Sequence, residues 1–593
     1  MDGRAMWQTA LVSMPFRQAD RPSIQLGLLK AIGEARGFPI RTVHANLDFV
    51  RRIGMDRYAA IADQPRPLLG DWLFAVAAFG QDAPEERLTD DEDLLRIREQ
   101  DVPAYLDELV EGFPWHEFRV VGFSSSFQQN VASFALARRL KERYPDLVTV
   151  FGGANFDGEM GLELVRSIDC VDYAVIGEGD TAFPALLEAI EAGTDPTLIP
   201  GVYSRDGGTP PAQPRDGLDD LPPPDYDEYF SRAAELGLPT NDVWLPFESA
   251  RGCWWGAKHH CTFCGLNGST MRFRAKSPSR VLAEFATQSR RYRTFRFEAV
   301  DNILDVRYLT EVFPVIATEH HDYQFFYELK ANLTRAQVRT LARGGVVQVQ
   351  PGIESLSSHV LRLMDKGVRA AQNVNLLRWA RYYGIGVSWN ILWGFPGETE
   401  YDYTAQAAAV PHLVHLQPPA GADRVWLERF SPMFSQPDKF PLGPRHPDRS
   451  YRMIYPSTVD ISRVAYFYDH SPDNALPDSV YATLAKAVDE WAHAWQGATP
   501  PSLTYRTSPG YLEIYDARHP ERTGTYTFRD TLADIYLACV DRPTTARAVH
   551  GKLQLRHPVE AVQEAFHQFA DRGLMFLDGD LALSLALPRT PGR

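Results

Sequence analysis

Three of the five cysteines lie close together, at Cys253, Cys261 and Cys264, in the sequence RGCWWGAKHHCTFCGLNG of residues 251–268. Iron–sulfur clusters need soft thiolate ligands, which the protein tunes by hydrogen bonding and burial. Three thiolates at this range can hold three irons of a 4Fe–4S cluster and leave the fourth iron open to bind and cleave a small molecule. Phe263 precedes the last cysteine, where an aromatic ring can cover a nucleoside held at that iron.

A structural zinc site is the alternative for the same residues. The spacing of Cys261 and Cys264, with two residues between them, is common at zinc sites. His259 and His260 are adjacent candidate ligands. Because short motifs also occur by chance, the three cysteines alone leave both kinds of site open.

The flanking sequence favours the cluster. ESARGC at residues 248–253 and KHHCTFCGLNG at residues 258–268 resemble the radical S-adenosylmethionine (SAM) enzymes. Their usual motif is C-x3-C-x2-C with an aromatic residue before the third cysteine, whereas the first gap here is seven residues. The C-x7-C-x2-C form is similar to the cobalamin-dependent radical SAM enzymes that modify ribosomally made peptides, among them the peptide C-methyltransferases.

This resemblance implies three cofactors: a 4Fe–4S cluster, SAM and cobalamin. Cys253, Cys261 and Cys264 would be the cluster ligands at the catalytic centre, and Phe263 would contact SAM. The resemblance also implies a precursor peptide as substrate and an electron donor of the flavodoxin or ferredoxin type.

Composition limits the other function classes. The chain has 593 residues, which suggests three or four domains, and 44% of them are hydrophobic. The formal net charge of −15 argues against a nucleic acid partner. Five cysteines in this length do not form a disulfide framework, and the cluster needs reduced thiols, so we expect a cytoplasmic protein. No apolar run reaches the roughly 18 residues of a membrane span.

Residues 1–210 alternate strands and helices, which predicts an α/β domain with a doubly wound parallel sheet. We expect a mostly helical insertion at residues 48–113. The strands are predicted at residues 9–14, 40–44, 119–124, 148–151 and 173–176.

Ligands of such a sheet bind beyond the carboxyl ends of its strands. The candidate residues there are Ser124, Ser125, Ser126, Gln128, Gly152, Gly153, Gly177, Glu178 and Gly179. Any doubly wound fold carries glycines in these loops, and a phosphate or nucleotide would also fit. The loops FSSSFQQN, FGGANFDG and DYAVIGEGD resemble the cobalamin-binding domain of cobalamin-dependent radical SAM enzymes. The loop after the first strand lacks D-x-H-x-x-G, so we expect no histidine on the lower face of cobalt.

After a Pro-rich linker at 211–239, residues 240–440 repeat strand–helix units and predict a partial (β/α)6 radical SAM barrel. Its six strands are predicted at residues 243–247, 295–299, 324–327, 346–349, 387–392 and 425–430. Such barrels place their chemistry at the carboxyl ends of the strands.

The polar residues after these strands are the candidate SAM contacts, by analogy to the radical SAM fold. Asp301 lies where many members carry G-G-E to hold the SAM amino group, and Glu328 follows the third strand. Glu354 and Ser355 resemble the fourth-strand motif near the SAM carboxylate and ribose, although a structural salt bridge is the alternative for Glu354. Gly394 begins GFPGET, which resembles the fifth-strand turn of cobalamin-dependent members.

The last part of the chain is predicted as a helical connecting region, 441–504, followed by an α+β, winged-helix-like domain, 505–593. A hairpin candidate at 505–528 precedes three predicted helices and a short hairpin with an Asp-Gly turn. A winged helix usually binds DNA. It can instead hold the leader of a precursor peptide by adding a strand to an exposed edge. The acidic chain favours the peptide.

These features predict a cobalamin-dependent radical SAM methyltransferase that methylates an unactivated sp3 carbon of a peptide. By the resemblance, one SAM would yield a 5′-deoxyadenosyl radical for hydrogen abstraction, and methylcobalamin would supply the methyl group. Two alternatives remain open. One keeps the cofactors for cyclisation or rearrangement of a peptide or small molecule, and the other is a nucleic acid binding protein with a zinc site.

Overall fold

The computed structural model describes residues 7–64, 66–268, 270–471 and 475–590. The amino-terminal sheet, here the first sheet, has the strands β1 (Gln8–Val12), β2 (Ile40–Val43), β3 (Phe118–Ser124), β4 (Val148–Gly152), β5 (Tyr173–Val175), β6 (Val202–Ser204) and β7 (Gly207–Gly208). Their spatial order is β2-β1-β3-β4-β5-β6-β7. The first five run parallel, as predicted, and each lies within two residues of its predicted bounds.

Two features of the first sheet were not predicted. β6 and β7 extend one edge as antiparallel strands. β7 consists of two glycines, so it has no side chains that could produce an alternating apolar signal.

Helices cover both faces of the first sheet. Leu11, Val120 and Val150 pack in one hydrophobic cluster, whereas Val121 and Phe151, one residue further along their strands, pack in the other. The α-helices are Ile24–Ala35, Ala45–Ile53, Met55–Ala62, Leu69–Phe79, Glu92–Arg96, Val102–Gly112, Asn130–Arg143, Gly158–Ser167 and Gly179–Ala192. Four of them, and the end of a fifth, Ala45–Ile53, fall within the predicted insertion at 48–113.

The next part of the chain contains a second parallel sheet, with a short ladder beside it. Its strands are β8 (Leu245–Phe247), β9 (Ala250–Arg251), β10 (Arg274–Ala275), β11 (Arg296–Ala299), β12 (Gln324–Glu328), β13 (Val346–Gln350), β14 (Gly386–Val387), β15 (Asn390–Trp393) and β16 (Gly421–Arg424). The parallel order is β14-β13-β12-β11-β8, while β15 pairs in parallel with β16. β9 and β10 form an antiparallel ladder.

The α-helices of this part alternate with its strands, as in a strand–helix barrel. They are Asp227–Glu235, Pro278–Tyr292, Tyr308–Glu311, Phe313–Glu319, Arg335–Arg343, Ser358–Leu363, Ala370–Tyr383 and Glu400–Leu413.

The last two barrel strands differ from the prediction. The predicted fifth strand, 387–392, is split: β14 pairs with β13, and β15 pairs with β16. The predicted sixth strand, 425–430, is wrong, because the parallel strand is β16, and residues 427–428 instead form β17 (Leu427–Glu428) in an antiparallel sheet. The sequence of β16, GADR, carries no apolar run, whereas the VWLERF that follows it does.

The region 441–504 is not helical throughout. Besides the helix Ser479–Trp495 it holds β18 (Arg445–Pro447) and β19 (Phe467–His470), and β19 lies between β17 and β18. The other α-helices between 430 and 470 are the short Pro432–Ser435 and Ile461–Val464.

The carboxyl-terminal segment has two small sheets and three helices. Its strands are β20 (Ser502–Ser508), β21 (Tyr511–Ala517), β22 (Gly524–Arg529), β23 (Thr544–Thr545), β24 (Met575–Asp578), β25 (Leu581–Ser584) and β26 (Leu587–Pro588), and its helices are Asp530–Ala538, Ala546–Leu553 and Val559–Asp571. The predicted hairpin at 505–528 forms as β21 with β22, and β20, which was not predicted as a separate strand, pairs antiparallel with β21 and has β26 beside it. The second hairpin, β24 with β25, forms as predicted.

The carboxyl-terminal segment is fixed to the barrel helices. Arg378, which is fully buried, donates to the carbonyl oxygens of Val540, Leu585 and Ala586. Because a buried guanidinium must satisfy its donors, this contact holds the segment in one orientation. In the described part of the chain, no helix has the length and apolar character to cross a membrane.

Candidate active site

The three cysteines lie in the cysteine loop, residues 252–273, which joins β9 to β10 beyond the carboxyl end of β8. Gly252 begins the loop at φ +74°, and a Cβ there would lie 2.2 Å from the Arg272 carbonyl oxygen, so the turn requires glycine. The Cys253 amide donates to the Met271 carbonyl at 3.3 Å, and the Thr262 amide donates to Met364 at 3.0 Å. The first bond joins the two ends of the loop, and the second attaches its middle to the residue after the helix Ser358–Leu363.

The histidines of the loop have other contacts, which weakens the zinc alternative. The His259 ring stacks on Trp255, with centroids 4.5 Å apart. His260 Nε2 lies 2.9 Å from the Cys264 carbonyl oxygen. Across the described residues, no three His, Cys, Asp or Glu side chains are close enough to share one metal ion. The three cysteine side chains are half-buried and free, as thiolate ligands of a cluster must be.

Two lysines beside the cysteines were not predicted as site residues. The Lys366 ammonium acts electrostatically on Cys261 and Cys264, and the Lys330 ammonium acts on Cys253 and Cys261. Burial raises the pKa of the Cys264 thiol to about 12, and Lys366 opposes that rise. A thiolate cluster carries negative charge, so these ammoniums favour it. Lys330 follows a predicted strand, which is a usable signal, whereas the sequence around Lys366 gives none.

The extra residues of the first gap anchor the loop. Trp254 Nε1 donates to the Leu304 carbonyl and Trp255 Nε1 to the Asp365 carbonyl, both at 3.0 Å. Lys330 Nζ lies 2.8 Å from the Trp255 ring centroid, a cation–π contact. The seven-residue gap is therefore packed against the barrel.

Two of the predicted SAM contacts, Glu328 and Glu354, lie at the carboxyl ends of neighbouring strands. Burial raises the pKa of Glu328 to about 7, and the charge of Glu354 adds to the rise. Lys366 Nζ lies 3.5 Å from a Glu354 carboxylate oxygen, so the salt-bridge alternative for Glu354 also holds. Carboxylates and ammoniums together can bind the two charged ends of an amino acid.

Two other predicted SAM contacts are turned inward. Asp301 is 1% exposed, and its carboxylate accepts hydrogen bonds from the amides of Ser249 and Ala250 at 2.8 and 2.9 Å. Burial raises the pKa of Asp301 to about 7. Ser355 is fully buried, and its hydroxyl donates to Gln406 at 3.0 Å. Both side chains fix the backbone around the site, and their contact with SAM stays a prediction.

Phe263 and Gly394 lie on the side of the fifth strand. The Phe263 ring packs against Phe395 at 5.8 Å, and Lys366 Nζ lies 5.6 Å from its centroid. Gly394 has φ +94°, and its amide donates to Glu398 at 2.8 Å. The GFPGET turn is thus closed on its own glutamate.

Six of the predicted loop residues border the first cavity, a space of about 350 Å³ beside the first sheet: Ser124, Gly152, Gly153, Gly177, Glu178 and Gly179. Gly153 has φ +97°, and a Cβ there would lie 2.5 Å from the Ser125 carbonyl oxygen. Glycine at position 153 therefore allows the two loops to approach closely beside this cavity.

The other three predicted loop residues do not line the cavity. Ser125 is fully buried and its hydroxyl donates to Asn130 at 2.6 Å. Ser126 bonds Gln129 in a capping box. Gln128 donates to the carbonyls of Ile61 and Gln64 at 3.0 and 2.9 Å. These side chains hold the loop in shape, and their contact with a cofactor stays a prediction.

A second cavity, of about 820 Å³, joins the two sheets. The first-sheet loops contribute Gly153, Gly177 and Glu178, and the other side contributes Gly252 and Asn302. Asn302 Nδ2 donates to Asn267 of the cysteine loop at 2.7 Å. Within the described ranges, no histidine borders either cavity.

The protein-family comparison agrees with this geometry. Residues 247–405 match the model of the Radical SAM superfamily. The chain carries a radical SAM domain. Such a domain uses a 4Fe–4S cluster and SAM, and the cysteine loop of this radical SAM domain supplies three thiols of the kind such a cluster needs.

Curated relatives are similar to about half of this chain. An uncharacterized methyltransferase of Pyrococcus horikoshii is 24% identical over 52% of this chain and 69% of its own length. Hopanoid C-3 methylase of Methylococcus capsulatus is 28% identical over 55% of this chain and 63% of its own length. Both matches extend beyond the length of the radical SAM domain.

A solved structure resembles most of the chain. The radical SAM methyltransferase TsrM from Kitasatospora setae, with cobalamin and a 4Fe–4S cluster bound, has a TM-score of 0.54 at 18% identity. The likeness covers 82% of this chain and 88% of that chain. At this identity the likeness shows the fold alone. The shared fold extends well beyond the radical SAM domain.

Proposed function

We propose that this chain is a cobalamin-dependent radical SAM methyltransferase that methylates an unactivated sp3 carbon of a ribosomally made precursor peptide. The observation that carries the proposal is the second cavity, which is bordered both by the loops of the first sheet and by the cysteine loop. Cofactors in these two places would meet at one substrate.

The first sheet fits cobalamin by its shape. The first cavity is a slot between sheet and helices, with Gly122 and Gly153 at places where a Cβ would collide with neighbouring atoms. A planar base can enter such a slot, while the adjoining second cavity has the larger volume that a macrocycle needs. The absence of D-x-H-x-x-G supports a cobalt whose lower face has no histidine ligand.

The barrel residues would hold the cluster and SAM. Cys253, Cys261 and Cys264 would bind the cluster, and Phe263 would cover the nucleoside. Lys366 would pair with the SAM carboxylate, and Glu328 with its ammonium group, because Lys366 lies beside the cysteines and Glu328 lies near Lys366. Burial of these groups excludes water from the site.

When bound, the cluster, SAM and cobalamin supply the chemistry: abstraction of hydrogen from a carbon that is neither acidic nor nucleophilic, and delivery of a methyl group to that carbon. The protein orients the reactants and keeps the site dry. The names of the two curated relatives, a methyltransferase and a methylase, support methyl transfer over cyclisation or rearrangement.

A peptide substrate is supported by the carboxyl-terminal segment. Among the described residues, β22 pairs with β21 on one side and with no strand on the other. An open edge of this kind can accept an extended peptide as a further strand. Because Arg378 fixes the segment to the barrel, a leader bound there would be held at a constant distance from the site.

Two further parts of the proposal concern the surroundings. The cluster needs one electron from outside, which we assign to a flavodoxin- or ferredoxin-type donor. Reduced thiols favour the cytoplasm.

Anaerobic reconstitution with cobalamin, methyl-labelled SAM and a candidate precursor peptide tests the proposal. We expect tandem mass spectrometry to locate one labelled methyl group on a carbon of the peptide. A product with altered bonds but no label would favour cyclisation or rearrangement. An unchanged peptide, with SAM cleavage intact, would contradict the peptide assignment.

The docking role of β22 is tested separately. Hydrogen exchange of residues 524–529 should slow when synthetic leader is added, whereas exchange of the helix Ala546–Leu553 should not change. Leaderless core peptide should react more slowly at low concentration and recover when leader is supplied in trans. If leaderless and full-length peptides react equally fast, the docking role fails.

A further inference from the structure

The cysteine loop is closed at its base by a ladder that places two arginines face to face. Arg251 of β9 and Arg274 of β10 are direct cross-strand partners. Their side chains are 14% and 5% exposed. Like charges directly opposite each other destabilise an antiparallel pair, and burial increases the repulsion.

One carboxylate from the first sheet reaches both arginines. Arg274 Nη1 donates to Glu178 at 2.9 Å, and its Nη2 donates to the other oxygen of the same carboxylate. Arg251 Nη1 lies 3.2 Å from Glu178. Glu178 caps the helix Gly179–Ala192 after β5, so this contact joins the first-sheet loop to the base of the cysteine loop.

The two arginines differ in their other partners. The Arg251 side chain also donates to Glu248 at 2.7 Å and to Asp180, whereas the only other hydrogen bond of the Arg274 side chain in the described structure goes to the Arg215 carbonyl, at 2.8 Å. Glu178 is therefore the carboxylate that balances the charge of Arg274. Without it, Arg274 would face Arg251 across the ladder with no carboxylate of its own.

We propose that Glu178 is a positioning residue that closes the base of the cysteine loop by neutralising the facing Arg251–Arg274 pair. Its contact with a cofactor stays a prediction. Glu178 borders both cavities. Its side chain therefore connects the position of the first-sheet loop with the position of the cysteine loop. The inference rests on the proposed cluster site, but it requires neither cobalamin nor peptide.

The test compares full-length E178Q with a control that breaks another ion pair between the two sheets. Arg21, from the first-sheet side, pairs with Glu298 of β11, away from the cysteine loop. Because E178Q weakens the charged hydrogen bonds that close the loop, we expect hydrogen exchange of residues 252–273 to be about tenfold faster in E178Q. Exchange there should stay at the wild-type rate in E298Q.

A double variant separates charge balance from general damage. E178Q/R274Q removes the unbalanced arginine, so loop exchange should return toward the wild-type rate. The electron paramagnetic resonance spectrum of the reduced cluster, broadened in E178Q, should sharpen again in the double variant. Wild-type exchange in E178Q, or a double variant as fast as E178Q, would overturn the proposal. Misfolding of E178Q that the double variant reverses would support it.

Discussion

The cysteines carry the most specific prediction at the scale of single residues. Cys261→Ala should remove a cluster ligand, so the reconstituted protein should lose most of its iron and form no 5′-deoxyadenosine from SAM. His259→Ala is the matched control from the same loop, because His259 stacks on Trp255 and should not bind iron. Full iron content with intact SAM cleavage in Cys261→Ala would contradict the assignment.

Glu328 should give SAM binding a pH dependence. Its pKa in the folded protein is raised to about 7 by burial and by Glu354, so the carboxyl group is charged above that pH and neutral below it. If the charged form accepts the SAM ammonium, affinity should be about tenfold weaker at about pH 6 than at about pH 8. Equilibrium binding of SAM across this range measures the effect.

Two variants check that Glu328 is responsible. Glu328→Gln should bind SAM weakly at every pH and abolish the dependence. Glu354→Gln removes the neighbouring negative charge, so the pKa of Glu328 and the midpoint of the SAM profile should both move to lower pH. An unchanged profile in Glu328→Gln would exclude this residue.

Residue types and spacing identify some of these groups and not others. The cysteines are recognisable because three thiols and an aromatic residue lie close together in the sequence, between segments that resemble the radical SAM enzymes. Asp301, Ser355 and Gln128 were assigned to ligands because they follow strands, yet each is at most 1% exposed. The sequence shows which residues follow a strand, but burial depends on the packing of distant elements.

At the scale of elements, Gly153 shapes the first cavity. Gly153→Ala would force a Cβ into the Ser125 carbonyl at positive φ, so we expect hydroxocobalamin affinity to fall about tenfold or more. Gly193→Ala is the control, since Gly193 also has positive φ but no atom within 4 Å of the added Cβ. Absorbance titration measures both, and equal affinities would exclude a role of the Gly153 turn in binding cobalamin.

Strands with a clear apolar pattern were predictable, and the others were not. β1 to β5 are buried parallel strands with apolar residues between polar turns. β16 has the sequence GADR and is recognised only through its pairing with β15. The antiparallel sheet of β17, β18 and β19 was missed because pairing partners that are distant in sequence leave no local signal.

At the scale of the whole molecule, the state of cobalt is predicted by the missing histidine motif. We expect the cobalt(II) form to be base-off, with a paramagnetic resonance spectrum that lacks hyperfine splitting from a nitrogen ligand. Protein produced with unlabelled histidine and protein produced with nitrogen-15-labelled histidine should give the same spectrum. A nitrogen splitting that changes with the label would contradict the prediction.

The order of the segments along the chain was predictable, but their contact was not. Alternating strands and helices on both sides of a Pro-rich linker indicate two α/β units. The structure alone shows that the first-sheet loops and the cysteine loop of the barrel border one cavity. It alone also shows the contact of Glu178 with Arg251. Contacts across such a boundary depend on the docking of two surfaces.

In the proposed function one SAM would yield the 5′-deoxyadenosyl radical, and a second SAM would supply the methyl group through cobalamin and leave S-adenosylhomocysteine. The most direct test is the ratio of two SAM products, measured by mass spectrometry during methylation of the peptide. We predict equal amounts of 5′-deoxyadenosine and S-adenosylhomocysteine, each equal to the methyl groups added. Methylation with S-adenosylhomocysteine but no 5′-deoxyadenosine, or 5′-deoxyadenosine with a modified but unmethylated peptide, would contradict the claim.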